Sequence, residues 1–281
     1  MNEQSLKDRL QTISKQQGIL FNECWKKLLL ERFLIRLSKS KYAQKFVFKG
    51  GFLLAYLIET GRETTDLDFL LTSMSINEDE IKITMGNIIS NNLQDGFLFA
   101  YESIEILEQP HMAYSGYRIT LKASFGKMRD KIQIDIGIGD IVKPNLCDFP
   151  LFQYKGNPMF ENEMSLLAYP PETIFAEKLE TIISKGATNS RMKDYHDLFL
   201  LVRKQGMIDL AKLRLSVKNT FQHRGTNVEL INFSEEGMVV LEKLWVVHCR
   251  NLRNPTQLQL PGNISEVILE INKILSLMQL L

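Results

Sequence analysis

The chain has 281 residues, of which 44% are hydrophobic and 24% charged, and its formal net charge is +1. With 16 glycines and 8 prolines, this composition indicates a globular protein and excludes collagen-like, mucin-like and disordered chains. Its longest apolar stretches, such as residues 52–58, are far shorter than the ~20 residues that a transmembrane helix needs. Residues 1–9 are polar and charged, unlike a signal peptide, so we expect a cytoplasmic protein.

The cysteines and histidines show no spacing that is typical of a zinc site or of a histidine-based catalytic triad. The three cysteines lie far apart and are odd in number, which favours reduced thiols that pack as small hydrophobic side chains. The four histidines are equally scattered. These residues are Cys24, Cys147 and Cys249, and His111, His196, His223 and His248.

Positive charge is concentrated in the first 49 residues, which hold eleven basic and four acidic side chains. Such an asymmetry can attract a polyanion to one side of a molecule. The same pattern is typical of a solvated helix face, and the sequence leaves both interpretations open.

Apolar periodicity divides the chain into three predicted parts. Residues 1–45 form an N-terminal helical segment, because apolar side chains recur at helical spacing throughout residues 4–40. Residues 46–165 form a core in which short strands and helices are mixed. The predicted strands are 46–48, 66–71, 97–106, 117–125 and 131–138, with helices over 52–59 and from about residue 77.

The rest of the chain is predicted to be helical. A loop-rich stretch with Pro144, Pro150 and Pro158 follows the last strand, and from Pro170 to Leu281 the pattern predicts helices alone. Residues 166–281 are therefore predicted to form a helical C-terminal domain. The fold class is α+β, with a small mixed sheet flanked by helices.

A pair of glycines, Gly50 and Gly51, connects the first predicted strand directly to a helix. Glycines at such a turn let the backbone approach a ligand, and the start of a helix offers unpaired N–H groups to a phosphate. A simple tight turn has the same sequence pattern. The pair becomes informative because of the strand that follows.

That strand carries Asp66 and Asp68, two residues apart, so both carboxylates project from one face while Leu67 and Phe69 enter the core. Two like charges on one face call for a cation, and Mg²⁺ prefers oxygen ligands of this kind. Solvated carboxylates at a sheet edge are the alternative.

A third carboxylate, Asp135, lies on the predicted strand 131–138, whose isoleucines share one face while Gln133 and Asp135 share the other. If this strand neighbours the first pair, Asp135 comes within about 5 Å of Asp66 and Asp68. Three such carboxylates can hold two Mg²⁺ ions about 3.5 to 4 Å apart. Asp140 competes for the third place, although it also fits a turn residue at the end of the strand.

Two later segments add charged candidates. Lys178 lies on the flank of an apolar helix face, from which its ammonium can reach a cleft and pair with phosphates, or simply reach solvent. Asp194 and Asp197 stand at the start of the next predicted helix, where helix capping could explain at least one of them. Arg191, just before them, is a candidate phosphate contact.

In combination, these motifs resemble a known group of proteins. Lys49-Gly50-Gly51, then Thr65-Asp66-Leu67-Asp68 and a later Asp135, are similar to the nucleotidyltransferase fold shared with polymerase beta. More narrowly, residues 176–179 and 191–198 resemble the third and fourth motifs of the AbiEii/AbiGii toxin family. The wider superfamily usually has Gly-Ser where this chain has Gly50-Gly51, so here backbone N–H groups replace the serine hydroxyl.

The resemblance implies a Mg²⁺-dependent nucleotidyltransferase, in which an acceptor hydroxyl attacks the α-phosphorus of an NTP, NMP is transferred and pyrophosphate leaves. We favour Asp194 over Asp197 as the aspartate that completes the site. The implied catalytic residues are Asp66, Asp68, Asp135, Lys178 and Asp194, the first three also binding two Mg²⁺ ions, and the implied nucleotide-binding residues are Lys49, Gly50, Gly51, Thr65, Lys178 and Arg191.

The resemblance also implies a toxin-type role, with an antitoxin partner in a toxin–antitoxin or phage-defence system and the 3′ end of tRNA as the acceptor. Two other functions stay open at this point. The same chemistry could modify a protein or a small molecule, or the chain could be a catalytically silent module that binds nucleotide or RNA.

Overall fold

A computed structural model of the chain describes residues 1–72, 77–107, 116–253 and 255–278. They form two compact units. The first consists of Met1–Tyr56, Glu63–Gly139 and Pro144–Ala168, and the second of Leu57–Arg62, Asp140–Lys143 and the chain from Tyr169 onward. The predictions for His111 and for residues 279–281 fall outside the described residues.

The first unit is built on a mixed sheet. Its strands are β1 (Phe46–Lys49), β2 (Asp66–Leu71), β3 (Phe97–Leu107), β4 (Gly116–Phe125), β5 (Met128–Ile138), β6 (Asn145–Asp148), β7 (Gln153–Tyr154), β8 (Asn157–Pro158) and β9 (Ser165–Ala168). Within the described residues, seven strands join in the order β3-β4-β5-β2-β1-β9-β6, and β7 pairs with β8. β2 runs antiparallel to β1 and parallel to β5.

Helices accompany this sheet, namely α1 (Glu3–Gln17), α2 (Phe21–Ser38), α3 (Gly50–Leu57) and α4 (Glu78–Ile89). The N-terminal segment is thus two helices, and the prediction of continuous helix over residues 4–40 is wrong. Gly18 ends α1 in the left-handed conformation, at a φ of 64°. Glycine adopts this conformation without the steric cost of a Cβ atom, which makes it a common helix terminator.

Two of the eleven basic side chains in the first 49 residues are buried inside the first unit. The side chains of Arg32 and Arg36 on α2 are at most 2% exposed, and both pair with Asp95, at 2.6 and 2.9 Å. Arg32 also forms an ion pair with Glu161. These two arginines are therefore neither a solvated helix face nor available to a polyanion, and neither interpretation of the basic segment applies to them.

The sequence predicts a loop-rich stretch after β5, whereas the structure has two strands of the main sheet there, β6 and β9. β9 runs parallel to β1 and antiparallel to β6. Each of the two strands has four residues. This length is too short for a period-two pattern to be recognised among prolines, which is why sequence reasoning missed both strands.

The second unit is helical, as predicted. It contains α5 (Pro171–Lys185), a 3₁₀ turn (Gly186–Thr188), α6 (Met192–Arg203), α7 (Leu210–Arg224), α8 (Glu235–Arg250), α9 (Pro255–Leu258) and α10 (Ile264–Leu277). Leu179, Leu198 and Trp245 are fully buried in its core. The α+β class with a mixed sheet and flanking helices is confirmed. Among the described residues, none of the helices has the length and apolar character needed to cross a membrane.

Candidate active site

The three predicted aspartates meet on neighbouring strands of the first unit. In the parallel pairing of β2 with β5, Asp68 lies directly opposite Asp135, and Asp66 lies opposite Gln133. One carboxylate oxygen from each of Asp66, Asp68 and Asp135 lies within 4.8 Å of the other two. The predicted proximity of Asp135 to the other two aspartates is therefore confirmed.

The burial pattern explains why the carboxylates share a face. Leu67 and Phe69 on β2 are 0% and 1% exposed, and Ile134 and Ile136 on β5 are 0% and 1% exposed. Since successive side chains of a strand project to opposite faces, burying these residues turns the aspartates between them to the other face. There the aspartates are half-buried.

Gly50 makes room for one of these carboxylates. It begins α3 and has a φ of +77°, a conformation that disfavours other residues. A Cβ atom at this position would lie 2.6 Å from the Cβ of Asp68 and closer still to its carboxylate. The first glycine of the pair is therefore required by the protein's own aspartate, whether or not a ligand also approaches the turn.

Sequence reasoning missed Arg118, which contacts the third aspartate. Its Nε donates to Oδ1 of Asp135 at 2.8 Å and its Nη2 donates to Oδ2 at 2.6 Å. This hydrogen bonding raises the pKa of Arg118 above its ordinary value. The sequence does contain a pattern that could have revealed this contact. The tight turn between Phe125 and Met128 sets the antiparallel register of β4 with β5, and this register places Arg118 opposite Asp135.

Arg118 and the aspartates belong to a row of charged residues across five adjacent strands. The register places Glu105 on β3 opposite Arg118 on β4, then Asp135 on β5, Asp68 on β2 and Lys49 on β1. The two adjacent acidic residues are thus flanked by a basic residue on each side. Lys49, predicted to bind nucleotide, occupies one end of this row.

Thr65, another predicted nucleotide contact, lies immediately before β2 at an open hollow of about 480 Å³ in the first unit. The other residues that line the hollow are polar or charged. They are Lys26, Thr120, Asp130, Lys131 and Gln133.

Asp140, the competing candidate for the third carboxylate, belongs to the second unit. Its carboxylate lies 3.2 Å from Nη2 of Arg224, which also pairs with Glu180 at 2.9 Å. Among the described residues, the acidic group that could hold a metal includes Asp135 and does not include Asp140.

Lys178 forms a second charged cluster, within the helical unit. Its Nζ lies 2.9 Å from Asp194 and 2.8 Å from Asp197, both of which are fully buried. Arg62 pairs with Asp197 at 2.7 Å, and Arg191 pairs with Asp194 at 2.8 Å. Two buried carboxylates are therefore neutralised by three basic side chains.

The buried pairs shift the titration of their members. Burial alone would lower the pKa of Lys178, but the charges of Asp197 and Asp194 outweigh burial and raise it. Burial alone would raise the pKa of Asp197, but Lys178 and Arg62 outweigh it and hold that pKa at about 2. Lys178 is thus positively charged and Asp197 negatively charged at neutral pH.

Asp197 is more closely involved in this cluster than the sequence suggested. The N-cap of α6 is Arg191, without a side-chain capping hydrogen bond, but Asp194 lies in the first turn, where a carboxylate favours the helix dipole. That explanation stays open for Asp194 and does not extend to Asp197. Arg62 lies 135 residues before Asp197 in the chain, and sequence spacing gave no sign of their pairing. The catalytic preference for Asp194 over Asp197 stays a prediction.

Solved structures with the same fold point to a class of proteins. A crystal structure of a candidate nucleotidyltransferase from Helicobacter pylori matches with a TM-score of 0.51 and 17% identity over 92% of this chain and 94% of that one. JHP933 from Helicobacter pylori matches with a TM-score of 0.50 and 17% identity over 92% of this chain and 91% of that one. The fold is thus of the nucleotidyltransferase class.

The sequence narrows this class to a family. Residues 32–261 match the model described as "Nucleotidyl transferase AbiEii toxin, Type IV TA system". The chain belongs to the AbiEii family, and the predicted resemblance is confirmed. No curated protein shows significant sequence similarity to the chain.

Proposed function

We propose that this protein is a Mg²⁺-dependent enzyme that transfers NMP from an NTP to an acceptor hydroxyl and releases pyrophosphate. The observation that carries the proposal is the placement of Asp68 opposite Asp135, with Asp66 beside them, in a member of the AbiEii family. Three carboxylates on one face of the sheet offer the oxygen ligands that a divalent cation prefers, beside the pairing of Asp135 with Arg118.

The donor set fits magnesium. Three carboxylates supply hard oxygen ligands, and one oxygen from each lies within 4.8 Å of the others. When bound at Asp66, Asp68 and Asp135, a pair of Mg²⁺ ions would activate the attacking hydroxyl and stabilise the charge of the departing pyrophosphate. The protein's part is to hold the three carboxylates on rigid, paired strands.

The nucleotide-binding roles follow from the groups that each residue offers. Gly50 and Gly51, at the start of α3, offer backbone N–H groups to phosphate oxygens. Lys49 supplies a positive charge next to this turn, and Thr65 supplies a hydroxyl at the start of β2. These properties support the proposal that the four residues hold the triphosphate.

We assign Lys178 and Asp194 to catalysis, and Lys178 and Arg191 to phosphate binding, as the family motifs imply. The support is the charge state of the cluster, because the paired aspartates keep the Lys178 ammonium protonated. A protonated lysine can stabilise the charge that develops on phosphate oxygens during transfer.

The biological role that we propose is that of a cytoplasmic toxin whose acceptor is RNA, specifically the 3′ end of tRNA. An antitoxin partner and a part in phage defence complete this proposal. The support is the family description, which names a toxin of a type IV toxin–antitoxin system.

A labelling experiment tests both the reaction and the acceptor. The purified protein is incubated with Mg²⁺ and each of the four α-³²P-labelled NTPs, together with tRNA, with total cellular protein or with a small-molecule extract. Labelled tRNA whose label is removed by a 3′ exonuclease is the expected result. Label in protein or in small molecules instead would show that the acceptor is not RNA, while the proposed transfer of NMP would still hold. RNA binding without metal and without label in any fraction would contradict the enzyme proposal.

A further inference from the structure

We infer that Arg118 competes with metal ions for Asp135 and thereby makes metal loading depend on the nucleotide. The inference rests on the proposed function and deepens it, since it concerns the control of the same metal site. It assigns Arg118 a positioning role that the sequence motifs do not contain.

The geometry places Arg118 on the metal ligand itself. Two N–H groups of its guanidinium donate to the two oxygens of Asp135, at 2.8 and 2.6 Å. A guanidinium fork matches a carboxylate in this paired arrangement, which is among the strongest hydrogen-bonded ion pairs in proteins. Each oxygen of Asp135 keeps a further lone pair, so a cation that ligates Asp135 must either share an oxygen with the positively charged guanidinium or displace one of the two hydrogen bonds.

Arg118 also changes the charge that an incoming cation meets. Asp66, Asp68 and Asp135 bring three carboxylates together, and Arg118 adds a positive charge directly beside one of them. The side chain of Arg118 is 34% exposed and that of Asp135 is 18% exposed, so water screens their interaction only in part. Arginine keeps its charge throughout the physiological pH range, so pH cannot switch this competition off.

The nucleotide offers the guanidinium a replacement partner. A triphosphate brings anionic oxygens, which arginine binds in the same two-pronged way as a carboxylate. When such oxygens are present, Arg118 can exchange Asp135 for phosphate and release the carboxylate to the metal. Metal and nucleotide should therefore strengthen each other's binding, and this coupling should depend on Arg118.

Calorimetric titration of Mn²⁺ into protein treated with EDTA, without nucleotide, tests the competition by a readout other than activity. We expect Arg118→Gln to bind Mn²⁺ about tenfold more tightly than the wild type, because a positive charge and two competing hydrogen bonds are removed. Arg118→Lys, which keeps the charge and loses the fork, should fall between the two. A non-hydrolysable NTP analogue should tighten Mn²⁺ binding in the wild type and much less in Arg118→Gln.

Lys122→Gln is the matched control, because it also removes one positive charge from the same strand. Lys122 pairs with Glu102, which lies outside the aspartate cluster. Its Mn²⁺ affinity should equal that of the wild type. Circular dichroism identifies any variant that does not fold. If Arg118→Gln does not fold, Arg118→Lys decides the question, and an affinity no tighter than that of the wild type overturns the inference.

The outcomes separate this inference from the proposed function. Equal or weaker Mn²⁺ binding by Arg118→Gln, with NMP transfer by the wild type intact, overturns the role of Arg118 alone. Absence of Mn²⁺ binding in every variant, or absence of NMP transfer by the wild type, contradicts the proposed function itself. Tighter binding by Arg118→Gln that disappears in the Asp68→Asn background locates the effect at the aspartate cluster.

Discussion

The backbone of Gly50 lies directly against the side chain of Asp68, which leaves no space for even a methyl group between the strand–helix turn and this carboxylate. The glycine motif and the aspartate motif are therefore one structural unit. Each was recognised separately in the sequence, and their contact explains why they occur together.

A Gly50→Ala substitution should reduce both stability and NMP transfer. The added Cβ must displace Asp68, in addition to the cost of about 1 kcal/mol for a non-glycine residue at positive φ. Gly156→Ala is the matched control, since Gly156 has the same φ of +77° and no atom within 4 Å of the added Cβ. Urea unfolding should show a larger loss for Gly50→Ala, and transfer should fall by about 10²-fold. Equal effects of the two substitutions would show that the contact with Asp68 is unimportant.

Asp68→Asn should abolish transfer of labelled nucleotide while the fold stays intact. The substitution preserves the shape of the side chain and removes the charge that a cation requires. We expect a loss of about 10²-fold or more in transfer and an unchanged circular dichroism spectrum. Asp148→Asn, which alters an exposed carboxylate of the same sheet, should transfer normally. An Asp68→Asn variant as active as the wild type would refute the metal assignment.

The regular part of the candidate site could be predicted from the sequence. β2 begins and ends at the predicted residues, because its apolar run is uninterrupted after Asp68. The strict alternation of isoleucines in β5 likewise determined the face of Asp135. Both inferences rest on local patterns, which a single sequence shows directly.

The buried ion pairs could not be predicted from the sequence, because they join distant parts of the chain. Arg62 and Asp197 are 135 residues apart, and Arg32 and Glu161 are 129 residues apart. Neither pair has a local signature, because arginine, whether in a bend like Arg62 or on a helix like Arg32, is usually solvated. Sequence reasoning therefore counted Arg32 as surface charge, although it is fully buried.

Asp197→Asn should destabilise the second unit more than Asp194→Asn. Asp197 is fully buried and neutralises both Lys178 and Arg62, each 14% exposed, so its loss leaves positive charge in the interior. Breaking such a pair costs about 3 to 5 kcal/mol. Asp194 shares Lys178 with Asp197, and its other partner, Arg191, is 47% exposed and can turn to solvent. Chemical denaturation measures the difference, and a larger loss in Asp194→Asn would contradict this order.

Asp95→Asn should be strongly destabilising, because it removes the carboxylate between two buried arginines, Arg32 and Arg36. The expected loss is again about 3 to 5 kcal/mol. The control is Asp130→Asn. Asp130 pairs with Lys26, and their side chains are 31% and 18% exposed, respectively, so this ion pair should contribute at most about 1 kcal/mol to the unfolding free energy. A small effect of Asp95→Asn on the urea midpoint would mean that these arginines are solvated after all.

The contact between the buried His196 and the half-buried His248 should make the protein less stable in mild acid. Nδ1 of His196 lies 2.9 Å from Nε2 of His248, and His196 is fully buried. Burial lowers the pKa of His196 from 6.5 to about 4, against the opposing charge of Asp197, and burial also lowers the pKa of His248. Between pH 6.5 and 4, His196 therefore binds a proton in the unfolded chain and not in the folded protein. Since protons then favour unfolding, stability falls as the pH is lowered through this range.

For His196 alone, the pKa difference corresponds to about 3 kcal/mol between the two ends of the range. His196→Phe should flatten the pH dependence of the unfolding free energy between pH 6.5 and 4, whatever its effect at neutral pH. His223→Gln should leave the slope unchanged, because His223 is exposed on α7. Urea unfolding at several pH values measures the slope directly. Equal slopes for His196→Phe and the wild type would show that His196 is protonated in the folded protein, in which case His248 or nearby charges must stabilise the imidazolium.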